Sequence, residues 1–372
     1  MKKNAHLAEA LAFLVFIGLF FVLNLVLPDK DFSQQENRML QTAPKFTFSG
    51  LFEGKFTTAF EDYVTDQFAL RDRWTALKAR SELTSGKTEN NGIYLCENET
   101  LIEPYTAPIK GDLDFSLDAV NSLTETAGVP VYFALIPSPC EIWAEKLPTG
   151  APNDSQKETI DFAYRYVNAN TVDMYSALAA HASEPIYYRT DHHWTTLGAY
   201  YGYTALADAM GLAPIPLSDY KETVVTDSFY GTSFSSSGFS WVAPDSISRY
   251  VEQGNAVITN YPKGDPETGT LYDESYLAVK DKYSYFYGGN TPLLTIETEN
   301  TDAPSLLILR DSYMDSLSPY LMAHFSKIHI LDLRYYRTSL HDYIVNNDID
   351  NVLVCYNVKN FTTDGNIFLM GY

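Results

Sequence analysis

The run Arg189-Thr190-Asp191-His192-His193-Trp194-Thr195-Thr196 contains the residue types of a proton-transfer site at a workable spacing. In extended chain, residues two apart point to the same side, so Asp191 and His193 can share a face while His192 turns away. A carboxylate beside an imidazole fixes one tautomer and stabilises the imidazolium that forms when the ring takes a proton. Asp191 and His193 therefore read as a base with its orienter. The same residues could also do no more than cap a helix, because a helical stretch follows whose N-cap would be Thr195 or Thr196. A base needs a nucleophile, and Leu306-Leu307-Ile308-Leu309-Arg310-Asp311-Ser312-Tyr313 is an apolar run that ends in Asp-Ser. Ligands of open α/β sheets bind beyond the carboxyl ends of the strands, which makes Ser312 the candidate nucleophile and its backbone amide a candidate oxyanion donor. Asn357, just past residues 352–356, and Ser233 and Ser235, in the loop after Tyr230, are further polar candidates for oxyanion or substrate contacts, as is Arg310. Asn after a strand and Ser in a loop also serve as plain turn residues.

These side chains need a scaffold. Residues 129–136, 305–309, 328–333 and 352–356 are short apolar runs rich in branched and aromatic side chains, which predicts buried strands in a parallel sheet covered on both faces. Residues 113–127, 157–168, 196–210 and 319–325 alternate with them as helices, the pattern of a layered α/β fold. Residues 219–300 break the alternation. They are rich in Tyr, Ser, Gly and Thr, with strand-like fragments at 256–259 and 293–296, and read as a β/loop-rich insertion over one edge of the sheet. Upstream, Phe56, Phe60, Val64, Phe68, Trp74 and Leu77 recur at helical spacing and predict an amphipathic helical pair. Residues 29–50 are polar, with Ser33 and Pro44, and read as a tether.

Residues 10–27 form an apolar run broken only by Asn24, close to the roughly 20 residues that cross about 30 Å of hydrocarbon. Lys2 and Lys3 precede it, so the positive-inside rule puts the N-terminus in the cytoplasm and the remainder outside. A cleaved signal peptide has an apolar core of about 7 to 15 residues ending in small residues, and Leu25-Val26-Leu27-Pro28-Asp29 offers no such site. An uncleaved anchor over 1–28 is expected, then a tether and helical segment over 29–90, then a catalytic domain over 91–372. A hydrophobic content of 45% suits a packed globular chain of 372 residues. The 28 Tyr and 21 Phe suit saccharide faces or core packing. A formal charge of −21 repels polyphosphate and argues against nucleic acid as a partner. Cys96, Cys140 and Cys355 lack metal spacing, so neither a disulfide nor a metal is assigned, and no cofactor is expected.

The Asp-His-His-Trp run resembles the signature of the DHHW family of bacterial surface proteins. The wider pattern resembles the alginate O-acetyltransferase group of the SGNH hydrolase superfamily, with its Asp-x-His-Trp element upstream and Gly-Asp-Ser-like element downstream. The likeness extends through Phe32-Ser33-Gln34-Gln35-Glu36-Asn37-Arg38, Asn91-Gly92-Ile93-Tyr94, Ile136-Pro137-Ser138, Gly231-Thr232-Ser233 and Asp332-Leu333-Arg334-Tyr335-Tyr336. It implies an SGNH hydrolase-like three-layer sandwich with orienter Asp191, base His193 and nucleophile Ser312. It further implies a membrane-anchored extracytoplasmic acyltransferase that O-acetylates a surface or exported polysaccharide, beside a membrane-embedded acyl-transfer protein. Two departures stand out: Arg310 occupies the usual Gly position, and the serine comes last, an order that triads tolerate. The same residues would serve an esterase, and the same fold could be a non-catalytic glycan-binding scaffold. Metal-assisted phosphoester hydrolysis is a further class that Asp-His-His could serve, but His6, His181, His324, His329 and His341 form no companion ligand group.

Overall fold

The computed structural model describes residues 2–371, in two compact units. The first comprises the chain up to Asn91 together with Phe234–Trp241. Its first helix, α1 (Lys2–Val26), includes the 21-residue stretch His6–Val26, long and apolar enough to cross a membrane. Helices α2 (Phe48–Phe52), α3 (Lys55–Asp66) and α4 (Arg71–Thr84) follow where a helical pair is expected. Thr47 caps α2 by accepting a hydrogen bond from the Gly50 amide, and Gly54, at φ +76°, provides the left-handed turn that separates α2 from α3.

Residues 29–50 do not form a bare tether. Phe32–Ser33 pairs with Arg38–Met39 as a small hairpin that turns through Asn37 in the left-handed region. The Arg38 guanidinium grips both oxygens of the buried Asp66 at 2.9 and 2.6 Å, and the Gln41 amide adds a third bond at 2.9 Å. Glu36 bridges Arg38 and Arg71 at 2.7 Å each. The polar composition that suggested a tether is an ion-pair network whose partners lie far apart in sequence.

The second unit, Gly92–Ser233 with Val242 onward, is an α/β fold around an eight-stranded sheet. Its strands are β1 (Val131–Ile136), β2 (Asn170–Val172), β3 (Val257–Asn260), β4 (Glu267–Thr268), β5 (Leu293–Glu297), β6 (Ser305–Arg310), β7 (Lys327–Leu331) and β8 (Asn351–Asn357), in the order β4-β3-β5-β7-β6-β8-β1-β2. The run from β7 to β2 is parallel throughout, whereas β5, β3 and β4 add antiparallel strands at one edge. The expected insertion thus extends the central sheet itself. Every residue of β6 is buried, as a strand covered on both faces requires. Helix α5 (Lys110–Thr126) leads into β1, α6 (Gln156–Tyr166) crosses from β1 to β2, α7 (Thr196–Ala209) follows β2, α8 (Met314–Leu321) crosses from β6 to β7, α9 (Leu340–Asn346) from β7 to β8, and α10 (Val358–Thr363) follows β8. Helix α8 begins earlier than expected: Pro319 lies near its C-terminal end instead of opening it.

Arg38 lowers the pKa of Asp66 from 3.8 to about 2, against the opposing effect of burial. A carboxyl depressed on folding stabilises fully above about pH 4 and loses that contribution as pH falls toward 2. Thermal unfolding followed by circular dichroism should therefore show Asp66→Asn less stable than the native chain at about pH 6, with the gap narrowing at about pH 2.

Candidate active site

The parallel strands direct their carboxyl ends to one rim of the sheet, where β6 delivers Asp311, Ser312 and Tyr313 before α8 begins. The run that carries Asp191 is a tight excursion closed by Tyr187 bridging Trp194, with the Tyr188 amide donating to His193 O at 3.2 Å and the Thr195 amide to Ile186 O at 2.9 Å. Thr195 is the N-cap of α7, accepting from the Gly198 amide at 3.2 Å. Trp194 fastens the excursion to the other loop: its indole N–H donates to Tyr313 O at 2.8 Å. A Cβ on Gly202 of α7 would come within 2.8 Å of the Trp194 ring, so the helix approaches the indole only because residue 202 has no side chain.

Within this frame Asp191, His193 and Ser312 form one hydrogen-bonded chain. His193 Nδ1 lies 2.5 Å from Asp191 Oδ1, and Nε2 lies 2.7 Å from Ser312 Oγ. Asp191 and His193 are buried and Ser312 is half-buried. The ring of Tyr283 stacks on His193 at 3.8 Å and 8°, and its hydroxyl donates to Ser312 O at 3.1 Å. The Tyr313 hydroxyl donates to His192 O, which ties the serine loop to the histidine loop a second time. With Nδ1 donating to the carboxylate, Nε2 carries the lone pair that can accept the serine proton.

Asp191 has no water-like freedom. Oδ1 accepts the His193 amide at 2.9 Å, and Oδ2 accepts the Thr232 amide at 2.7 Å and the Thr232 hydroxyl at 3.1 Å. Burial works to raise its pKa, but the two neighbouring imidazoles and the Thr232 amide prevail and hold it well below the ordinary carboxylate range. Because the single Thr232 hydroxyl proton goes to Asp191, its oxygen accepts from His192 Nδ1, 2.6 Å away. His192, expected to face away, therefore joins the network through Thr232. Lys280, half-buried, donates to Tyr230 O at 2.9 Å; burial lowers its pKa to about 8 while the Asp191 charge opposes.

Three of the expected site residues have other duties. The amide group of Asn357 is spent internally: Nδ2 donates to Ile136 O at 3.0 Å and Ser138 Oγ at 2.9 Å, and Oδ1 accepts the Lys359 amide at 3.0 Å. It closes a strand end and has no donor left for substrate. Arg310 is buried, with Nη1 on Asn290 Oδ1 at 2.8 Å and Asp315 Oδ1 at 3.0 Å, so it fastens the first turn of α8 to the strand and does not reach into a site. Ser233 is buried next to Thr232, and the bonds to Asp191 come from Thr232. The positioning residues Asp311, Thr232, Tyr283 and Tyr313 escape a reading of the sequence. Thr232 carried a signal inside Gly231-Thr232-Ser233 and Asp311 one in the Asp-Ser element, but neither signal showed which group the side chain would hold. Asp311 receives the Tyr313 amide at 3.0 Å, the Asn357 amide at 2.8 Å and Asn360 Nδ2 at 2.7 Å, and so welds the ends of β6 and β8 and the helix α10 together under the serine.

Asp191, His192 and His193 could also meet on a metal, since one ligand atom from each lies within 4.8 Å of the others. The bonds already made, Thr232 on Oδ2 and Ser312 on Nε2, suit a proton chain better than a vacant coordination sphere.

The family model of DHHW proteins matches residues 117–331. No curated protein is recognisably similar to the chain. Among solved structures, a DHHW family protein from Eubacterium siraeum is 27% identical, with a TM-score of 0.66, over 76% of this chain and 95% of that one. PatB1 of Bacillus cereus, solved with a sulfonyl adduct, is 23% identical, with a TM-score of 0.63, over 75% of this chain and 98% of its own. A second structure of PatB1 aligns at 22% identity and a TM-score of 0.61, covering 74% of this chain and 98% of that one.

A Cβ at position 231 would lie 2.2 Å from Asp191, so Gly231→Ala must push the carboxylate aside. A displacement of about 1 Å in such a chain costs on the order of 10²-fold in rate. Labelling of Ser312 by a serine-reactive phosphonate, followed by mass spectrometry, should slow by about that factor in Gly231→Ala.

Proposed function

The chain belongs to the DHHW protein family, and on that premise we propose that it is a membrane-anchored, extracytoplasmic serine acyltransferase of SGNH type that O-acetylates a cell-surface or exported polysaccharide. The observation that carries this reading is the unbroken chain from Asp191 through His193 to Ser312, at 2.5 and 2.7 Å, at the carboxyl rim of a parallel sheet. In the proposed reaction Ser312 Oγ attacks the carbonyl carbon of an acyl donor while His193 Nε2 takes its proton. Asp191 holds Nδ1–H and stabilises the imidazolium. The tetrahedral adduct expels the donor's leaving group, which receives the proton from His193, and leaves acyl-Ser312. A glycan hydroxyl then attacks the acyl carbon and gives its proton to His193, which returns it to Ser312 Oγ as the new ester departs. The Ser312 backbone amide, where the chain turns into α8, is the proposed donor to the oxyanion.

The capture of PatB1, a protein of the same fold, with a sulfonyl adduct agrees with a nucleophile that accepts acyl-like electrophiles. The resemblance to the alginate group supports acetyl as the acyl group and a membrane-embedded acyl-transfer protein as the donor. The apolar stretch His6–Val26 supports an uncleaved anchor. Water in place of the glycan hydroxyl makes the same residues an esterase.

The test uses the full chain in detergent with a chromogenic acetyl ester and a soluble oligosaccharide. Ser312→Ala should lose on the order of 10³-fold or more in turnover, as triad removals do, and chelators should have no effect. Acetylated oligosaccharide supports the transferase, acetate alone supports the esterase, and unchanged turnover in Ser312→Ala refutes the nucleophile.

A further inference from the structure

We propose that α2, α3 and the start of α4 form a foot that beds in the outer leaflet of the bilayer beside α1, so that the chain holds the membrane by a monotopic surface as well as a spanning helix. This rests on the proposed reading of α1 as an uncleaved anchor.

The argument begins with depth. At 1.5 Å per residue, the 21 residues His6–Val26 cover roughly 31 Å, the thickness of the hydrocarbon. The remainder of the first unit is not clear of that span. Phe20 stacks on Phe68 with ring centroids 5.6 Å apart and planes 3° apart, and Trp74 meets Phe20 edge-on at 5.4 Å and Phe16 at 6.0 Å. Phe20 is six residues inside Val26 and Phe16 ten, which is roughly 9 and 15 Å below the outer end of the span. If α1 spans, the α3–α4 junction must enter the outer leaflet with it. The one polar residue interrupting the apolar run, Asn24, accepts the Ala69 amide at 2.7 Å through Oδ1 and donates to Phe20 O at 2.8 Å through Nδ2.

The surface that would meet lipid is apolar and uncovered. Phe48 is 73% exposed, Phe52 87%, Phe60 48% and Leu77 51%. Phe48 and Phe60 are joined through Phe46 and Phe56 by ring contacts of 5.1 to 5.9 Å, and a contiguous exposed apolar patch marks an interaction site. Tyr63, on the same helix as Phe60, donates its hydroxyl to Asp29, just beyond the span, the amphipathic arrangement found at the headgroup level. Charge is divided in the same way. Residues 27–90, beyond the span, hold 9 basic and 10 acidic side chains, so the net negative charge falls almost wholly on residues 91–372. Arg71, at the start of α4, pairs with Glu36 of the hairpin at 2.7 Å, and Lys55 of α3 pairs with Glu53 at 2.6 Å.

The test places the environment-sensitive fluorophore NBD at single introduced cysteines in the full chain, reconstituted in phosphatidylcholine vesicles with and without acyl-chain bromines. Cys96, Cys140 and Cys355 are buried and do not compete for the label. Phe52→Cys and Leu77→Cys sample the foot, and Leu14→Cys samples α1. The foot predicts blue-shifted emission, lost in brominated lipid, at all three positions. Lipid-like emission at position 14 with water-like emission at 52 and 77 overturns the foot and leaves the anchor standing. Blue-shifted but unquenched emission at 52 and 77 also overturns it, since another protein surface then covers the face. Water-like emission at position 14 refutes the anchor, and the foot with it.

Discussion

A carboxylate closed off from water must have its charge answered where it stands, and the rim of this sheet is organised around that demand at Asp191. The residue is only 1% exposed, and its carboxylate receives four bonds, from the His193 ring and amide and from the Thr232 amide and hydroxyl. Each donor fixes something else. The ring bond sets the tautomer and plane of His193. The Thr232 bonds hold the loop after Tyr230 so close that residue 231 has no room for a side chain. Removing water from such a site also strengthens every electrostatic interaction inside it.

The serine is held by separate means. A second buried carboxylate, Asp311, takes amides from both strand ends and from α10, and burial raises its pKa even as Asn360 and those amides pull the other way. Adjacent in sequence to Ser312, it shapes the turn and leaves the imidazole to Asp191. Arg310 and Asp315 pair beneath the same turn. Part of the aromatic surplus lies in the same region: Trp194, Tyr187, Tyr188 and Tyr313 are fully buried around the chain of three, and Tyr283 covers the open face of His193. These rings form the dry wall of the site, while a different set, on α2 to α4, remains exposed.

What could be read in advance follows from the range of the interactions involved. The pairing of Asp191 with His193 was legible from their two-residue spacing, although the chain bends there and the His193 amide donates to Asp191, and Ser312 stands at a strand end because an apolar run stops there; both are local patterns. Four strands of the parallel sheet, β1, β6, β7 and β8, showed themselves by continuous hydrophobicity, whereas the three-residue β2 did not. The roles of Arg310 and Asn357 were not legible, because whether a polar group is free for substrate depends on partners such as Asn290, Asp315, Ile136 and Ser138 that only folding brings near. The hairpin at residues 32–39 was hidden for the same reason, its partner Asp66 lying 28 residues beyond Arg38. The edge strands β3, β4 and β5 are short, and their register comes from pairing with β7 and with one another.

The proposed route passes through a covalent ester on one hydroxyl, and that bond can be sought directly. The full chain, mixed with an activated acetyl ester, quenched in acid within the first turnover and digested with trypsin, should yield the peptide from Asp311 to Lys327 carrying one acetyl group on Ser312. The adduct should disappear when an oligosaccharide acceptor is added before the quench. An unmodified peptide during active turnover, or acetyl found only elsewhere in the chain, would contradict the account.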